Sequence, residues 1–600
     1  MKFNTNYKIA TVFLLTGIYS ATAQKKQENI GTEVVNVVKP YTPTISDAFK
    51  VKETPSLDDE DNSKKENIKY NIFSFPVAST FTPSKGRAAG VDKSKQERLF
   101  KNYVTAGFGN FGTFFSELYV TEEVGDSDYV AAMVKHLSSN GGIKDLEIDD
   151  KFLTSSIDVT YGSKQQDYSW SADAGFEYKR NFWYGLPDDF GLTTLTSDQR
   201  IFEVNRLNEW QTYKNAYVGG RIGFNESMFN AVELKYNRFW DGFGSSENRL
   251  YLKPSFEFEI TENTIKTEII ADYNGGEFKK GFEVPEDVNL DTPIKYAFAN
   301  FGIHPSFTMN RDDWSFDIGA SIFYSADMEH SDNKVFFYPN VTASLNVVGD
   351  LMVFYAGADG TLQQNSFRDL TNINPYLSPT LQGIRPGEFG IKPTDKQLDA
   401  FAGLKGKLSN YISYNVRGSL LAERNKILFK SNAYDETLLF QEVYQHGNSF
   451  GITYDNVRTL TISGEINADF SKNVSFGING AFHKYTTKFE AEAWNLPEIE
   501  FGASLDVTIT PKWYAGANLF FVGERMDFQQ KLYELPLITG TTKTLNSYFD
   551  ANAHVGFKYN DRLTAWLKFN NIANQGYDKW LNYEVQSFQA MIGASYKFDF

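Results

Sequence analysis

The chain ends in unbroken alternation. Phe588, Ala590, Ile592, Ala594, Tyr596, Phe598 and Phe600 fall on one face of an extended segment, and Gln589, Met591, Gly593, Ser595, Lys597 and Asp599 fall on the other. Leu460, Ile462, Gly464, Ile466, Ala468 and Phe470 stand in the same relation to Thr459, Thr461, Ser463, Glu465, Asn467 and Asp469. A period of two with one apolar and one wet face is a β-strand that separates two environments. The pattern begins after Tyr103 and recurs, in segments of about 10 to 15 residues, to the last residue. Two stacked sheets would show the same period, so the alternation alone leaves a sandwich and a membrane barrel open.

The connections separate them. Short turns, among them Tyr559-Asn560-Asp561, Thr510-Pro511-Lys512, Ser471-Lys472-Asn473, Gly349-Asp350 and Arg311-Asp312, take turns with long connections near 574–587, 525–546, 486–497, 425–445, 365–394, 278–295 and 180–212. Sorting of short turns to one rim and long loops to the other is what an outer-membrane barrel does, with the short turns periplasmic. The expected fold is all-β: a large closed antiparallel transmembrane β-barrel of 22 strands over residues 102–600, preceded by a short extended N-terminal periplasmic segment. An even strand number returns both ends of the wall to the same side.

Length and composition agree with strands in lipid. A chain of 600 residues exceeds what a single ordinary core absorbs. After the N-terminus no run of 18 apolar residues occurs, so membrane crossing by helices is excluded. Aromatics reach 16%, with 52 Phe and 34 Tyr, which suits an apolar belt with aromatic girdles. There is no cysteine, which removes disulfides, thiolate metal sites and cysteine nucleophiles. A net charge of -16 speaks against nucleic acid as a partner.

Residues 1–23 read as a signal peptide: Lys2 and Lys8, the apolar stretch Ile9 to Ser20, and the small-residue box Ala21-Thr22-Ala23, so the mature chain is expected to start at Gln24. Residues 24–101 read as an extended periplasmic tail that can enter the lumen. Five prolines and two charged stretches leave it little apolar face to bury. Thr32, Glu33, Val34, Val35, Asn36, Val37 and Val38 form a short extended segment suited to adding a strand to a periplasmic partner.

Asn110-Phe111-Gly112-Thr113, the segment Val457 to Glu465, and Leu567-Lys568-Phe569-Asn570-Asn571-Ile572-Ala573-Asn574-Gln575-Gly576-Tyr577 followed by Ser595-Tyr596-Lys597-Phe598 resemble the barrel of TonB-dependent outer-membrane receptors of Bacteroidota. The resemblance covers residues 102–600. It implies 22 strands, a periplasmic energy-coupling partner and the uptake of a nutrient. Such receptors carry an N-terminal plug domain, and residues 24–101 show no plug-like core.

Two functions stay open: a receptor-like barrel for nutrient uptake, and a non-enzymatic structural subunit of an outer-membrane secretion, insertion or surface-assembly complex. Outer-membrane lipids and the barrel-assembly machinery are expected partners in both. No cofactor is expected, and no catalytic set is legible. The six histidines lack ligand spacing, and Gly109 to Gly112 reads as a turn, not a phosphate loop. Ligand-contact candidates are the aromatics near the long loops: Phe182, Trp183, Tyr184, Trp210, Tyr213, Trp240, Trp580 and Tyr583. A girdle role explains the same residues. Glu465, Asp469, Lys597 and Asp599 are expected to face the lumen. A bore this wide needs a stopper, and the tail, the infolded long loops and a partner chain are the three sources.

Overall fold

In the computed structural model, the structure describes residues 99–192, 194–260, 263–279, 293–380, 390–435, 437, 441–532 and 538–600. The expected signal peptide, the tail as far as Arg98 and the Thr32–Val38 segment lie outside these residues.

Twenty-two strands form one antiparallel sheet closed on itself. The wall starts with β1 (Asn102–Gly109), β2 (Phe114–Val124), β3 (Asp128–Ser139), β4 (Phe152–Lys164), β5 (Tyr168–Phe182), β6 (Trp210–Phe224) and β7 (Phe229–Asp241). It continues through β8 (Ser246–Ile260), β9 (Asn263–Phe278), β10 (Ile294–Asn310), β11 (Trp314–Asp327), β12 (Lys334–Val348), β13 (Met352–Gln363) and β14 (Thr394–Ser409). Then come β15 (Ile412–Ser431), β16 (Phe450–Ser471), β17 (Val474–Thr486), β18 (Ile499–Thr508) and β19 (Trp513–Val522). A hairpin outside the wall, β20 (Arg525–Leu532) and β21 (Ile538–Leu545), precedes wall strands β22 (Tyr548–Lys558) and β23 (Leu563–Asn570). A smaller hairpin, β24 (Asp578–Trp580) and β25 (Tyr583–Glu584), precedes the closing strand β26 (Gln589–Phe598).

β26 pairs with β1 from Asn102 opposite Phe598 to Gly109 opposite Met591. No strand edge is left unpaired in the wall, as a bilayer requires. At one rim the connections run two to four residues, as at 125–127, 410–411, 472–473 and 559–562, and both ends of the wall lie there. The other rim carries 140–151, 183–209, 364–393, 432–449, 523–547 and 571–588. Two connections on this rim stay short, 110–113 and 242–245. The second is tied from within: Asp241 accepts from the N–H groups of Phe243 and Ser245, and Gly244 supplies φ +96.

The two faces of the wall differ as the alternation requires. Phe301 and Ile303 on β10 and Leu460, Ile462, Ile466 and Phe470 on β16 stay between 42% and 64% exposed, a belt that no other part of the described residues covers. Lipid is the solvent that such a belt fits. The opposite face is polar and paired: Arg417 with Asp399 at 2.8 Å, Lys253 with Glu268 at 3.0 Å, and the Tyr217 hydroxyl donating to Asp158 at 2.6 Å.

Aromatic rings laid over glycines pin the register on that inner face. The Trp566 indole on β23 spans the closing seam, so that a Cβ on Gly593 of β26 would stand 2.2 Å from it and one on Gly107 of β1 2.3 Å. Trp566 Nε1 donates to Thr105 Oγ1 at 3.2 Å on the same strand as Gly107. Tyr129 over Gly162 and Tyr514 over Gly556 repeat the device elsewhere in the wall.

Strand length sets where the molecule leaves the membrane. A bilayer is crossed in about 9 to 11 tilted residues. β15 and β16 have 20 and 22. Their surplus lies at the long-loop rim, where Leu428, Phe429, Ile452, Tyr454 and Val457 become buried.

Candidate functional site

The long loops turn inward over one mouth of the barrel. The clearest case is helix α2, formed by Phe367–Ile373 in the connection 364–393; helix α1 is Ser197–Arg206 in 183–209. Ser366 caps α2 by accepting from the Asp369 N–H at 3.0 Å. Glu247, on the inner face of β8, then accepts from the Phe367 N–H at 2.6 Å and the Arg368 N–H at 3.4 Å, from Asn274 at 3.0 Å and from the Tyr296 hydroxyl at 2.7 Å. A wall carboxylate thus meets the positive end of the helix and its unsatisfied N–H groups. Lys179 donates to Asn372 at 2.6 Å, and Arg249 joins Asp369 at 3.2 Å while holding Asp272 at 2.7 Å. Phe367 is fully buried in a collar of inward rings, Phe239 at 5.3 Å, Phe278 at 5.1 Å and Tyr213 at 6.3 Å. Helix α2 therefore sits inside the bore, against the lumenal faces of β5 to β10.

The other loops pack on this anchor. Trp183, Leu207, Leu377, Tyr444, Phe450, Ile452, Leu545 and Trp580 join the collar in one apolar cluster. Each large side chain buried in this way contributes about 1.5–3 kcal/mol relative to exposure. Polar groups align the pieces. Asp455 accepts from the N–H groups of Lys488, Phe489 and Glu490, and Asp527 from that of Ser431. The Lys430 ammonium lies 4.3 Å from the Phe528 ring and 3.4 Å from Glu490. Helix α1, opened by a Thr196–Gln199 capping box, brings Glu203 to 2.7 Å from Arg206 and 3.8 Å from His446. Burial, with the Arg206 charge nearby, pushes the His446 imidazole down to about 4. Burial pushes the Asp527 carboxyl up to about 6.

Beside α2 the roof leaves a cavity of about 800 Å³. Lys179, Asn181, Asn372, Tyr376, Asp550 and Asn571 are among its walls. Tyr376 stacks on Tyr583 with ring centres 3.6 Å apart, and its hydroxyl lies 3.2 Å from that of Tyr184. Tyr548 and Tyr577 stack at 3.8 Å. A lining of amides, phenols and balanced charges suits a polar, hydroxyl- or carbonyl-bearing solute.

The aromatics singled out from sequence divide among four places. Phe182, Tyr184, Tyr213 and Tyr583 line the cavity. Trp183 and Trp580 are buried in the roof, the first against Phe243 and Tyr444 and the second against Phe429 and Phe450. Trp210 packs on Phe182 at 4.0 Å and carries the Arg180 guanidinium 3.9 Å above its ring. Trp240 shares the outer face with Phe176, 6.2 Å away, in a girdle position. Tyr376, Tyr577 and Asn571 were missed. Asn571 organises the 571–588 loop, donating to the carbonyls of Gln575 and Gln586 at 3.0 Å with φ +46, and the Asn-Asn-x-x-Asn run was its visible signal. Glu465 and Asp469 lie on the face of β16 opposite Ile462 and Ile466; Glu465 accepts from Asn467 and Asp469 from Ser475. Lys597 follows the parity of Gly593, whereas Asp599 lies past the end of β26 and accepts from the Lys101 N–H at 3.0 Å. Among the described residues no group of three or more His, Asp or Glu side chains is placed to hold a metal.

Fold and roof together define a class, the 22-stranded outer-membrane barrel with long loops folded over one mouth. Solved structures of this class superpose on the chain. The pyoverdine outer-membrane receptor FpvA of Pseudomonas aeruginosa matches with a TM-score of 0.60 and 12% identity over 84% of this chain and 80% of its own. The FrpB iron transporter of Neisseria meningitidis matches with 0.60 and 10% over 84% and 82%. The ferric-catecholate import receptor Fiu of E. coli matches with 0.57 and 12% over 84% and 83%. The sequence matches no protein-family model and no curated protein.

Proposed function

We propose that the chain is an outer-membrane uptake receptor that admits a nutrient through the long-loop rim. The observation that carries this reading is helix α2 docked inside the bore beside a polar cavity: described segments of the long loops fold over the mouth, and a solute-sized chamber lies among them. Barrels of this fold that import ferric chelates support the same reading. In this proposal the short turns and residues 24–101 are periplasmic and the long loops extracellular. Thr32 to Val38 engages a periplasmic energy-coupling protein, and removal of residues 1–23 precedes insertion by the barrel-assembly machinery. Phe182, Tyr184, Tyr213 and Tyr583 contact the solute.

The test is growth of a deletion strain on panels of ferric siderophores, cobalamin, glycans and peptides. A selective defect restored by the wild-type chain is the expected result. Intact uptake on every panel, together with isolation of the barrel in stoichiometric complex with another protein, would move the chain to the structural-subunit reading. Orientation is tested separately. The chain has no cysteine, so a single Asn574→Cys variant should react in intact cells with a membrane-impermeant maleimide.

A further inference from the structure

We infer that the outer wall at the long-loop end of β6 to β9 carries a binding site for the phosphate of a phosphorylated glycolipid headgroup, a site separate from the cavity; this rests on the proposed orientation of that rim toward the outer leaflet. Register places Lys214 opposite Tyr178 and Trp240, and Arg238 opposite Ala216 and Asn248. Lys214, Arg238 and Trp240 share the face of Val218, Leu234 and Tyr236, which is the exposed apolar face of these strands. A cation on that face is costly in hydrocarbon and favourable at the level of an anionic headgroup.

The local build fits a headgroup. The 242–245 turn is one of the two short connections on this rim, so no long loop rises directly from between β7 and β8. The Lys279 stem runs beside Gly244, where an added Cβ would lie 3.3 Å from Lys279 Cδ. Arg238, Trp240, Asp241, Gly244, Ser245, Ser246 and Lys279 enclose a shallow pocket of about 290 Å³, with Lys214 outside it on the neighbouring strand. Asn248 holds the Arg238 guanidinium, its Oδ1 accepting from Nη1 at 3.0 Å. The acid on this face, Glu277, lies opposite Ser246 and 3.9 Å from Lys295, and the pocket's own acid, Asp241, takes both turn N–H groups on Oδ1 and keeps its Oδ2 buried. Lys279 thus stands beside the turn, Lys214 level with Trp240 and Arg238 one outward position below it, all three above the apolar wall of Val218, Leu234 and Tyr236. That is the layout an amphiphile with an anionic head and acyl chains satisfies, whereas a soluble phosphate compound would use only its upper half.

The test uses the purified full-length chain in mild detergent and bis-phosphorylated lipid A, with the same lipid stripped of both phosphates as comparison. The phosphorylated form is expected to bind about tenfold tighter or more. The combined variant Lys214→Ala, Arg238→Ala, Lys279→Ala should lose that preference, and Lys484→Ala, an outward cation opposite Leu460 on β16, should keep it. Lys214→Arg with Lys279→Arg should also keep it, which separates lost charge from lost folding. Equal binding of the two lipids, wild-type binding by the triple alanine variant, or displacement of the lipid by equimolar inorganic phosphate would each overturn the inference. The assay contains no uptake step, so its failure leaves the receptor reading standing.

Discussion

A valine at position 593 would place its Cβ 2.2 Å from the Trp566 ring, which already spans the seam between β26 and β1, and 2.4 Å from the Ala106 carbonyl oxygen. Overpacking of this kind costs about 1–3 kcal/mol. Gly593→Val should lower the temperature at which the barrel loses its fast, folded migration on gels, and adding Trp566→Ala to that variant should restore part of the loss. Unchanged migration of Gly593→Val would show that the seam has room to give, and a double variant no more stable than the single one would assign the loss to the Ala106 backbone and not to the indole. A second residue-scale prediction concerns pH. An imidazole at about 4 in the folded roof and near 6.5 when opened takes its proton first in the opened state, so acidification from pH 7 to 5 favours opening by roughly 2 kcal/mol. Asp527, at about 6 when folded against its ordinary 3.8, takes its proton first in the folded state, and the same change favours closure by roughly 1 kcal/mol. His446→Gln should therefore reverse the trend, leaving residues 523–532 better protected from amide exchange at pH 5 than at pH 7. At this scale the sequence was legible in part: Tyr184 and Tyr583 stood out as aromatics near long loops, but the partners that complete the cavity, Tyr376 and Asn372, come from a loop whose inward path depends on a wall carboxylate far off in sequence.

Among elements, the strands were readable because alternation needs only local order, and the short turns were readable because Asn, Asp, Pro and Gly interrupt it. The helices were not. α2 has seven residues, too few to show a helical period, although Ser366 with Asp369 three residues on is an N-cap signature. Its stability is borrowed from the wall. Glu247→Ala would strip the acceptor from two helix N–H groups, Asn274 and Tyr296, at about 1–3 kcal/mol for each buried group left unpaired. The expected result is faster amide exchange across 366–374 with the strands unaffected; exchange unchanged in that segment would show that the aromatic collar alone holds the helix.

For the whole molecule, a bore of 22 strands conducts unless filled. The full-length chain in a planar bilayer should show little conductance. Removal of residues 364–393 should raise it several-fold, whereas removal of residues 24–98 alone should leave it low if the loops are the main stopper. High conductance in the intact chain would contradict a closed resting state. The seam bears on the birth of the molecule as well. Lys101 and Asp599 meet across it although 498 positions separate them, so the ring cannot shut until β26 has arrived beside β1. A form that lacks β26 is an open sheet with two unpaired borders, so loss of its ten residues would remove closure itself, sending the chain to proteolysis instead of yielding a slightly smaller pore.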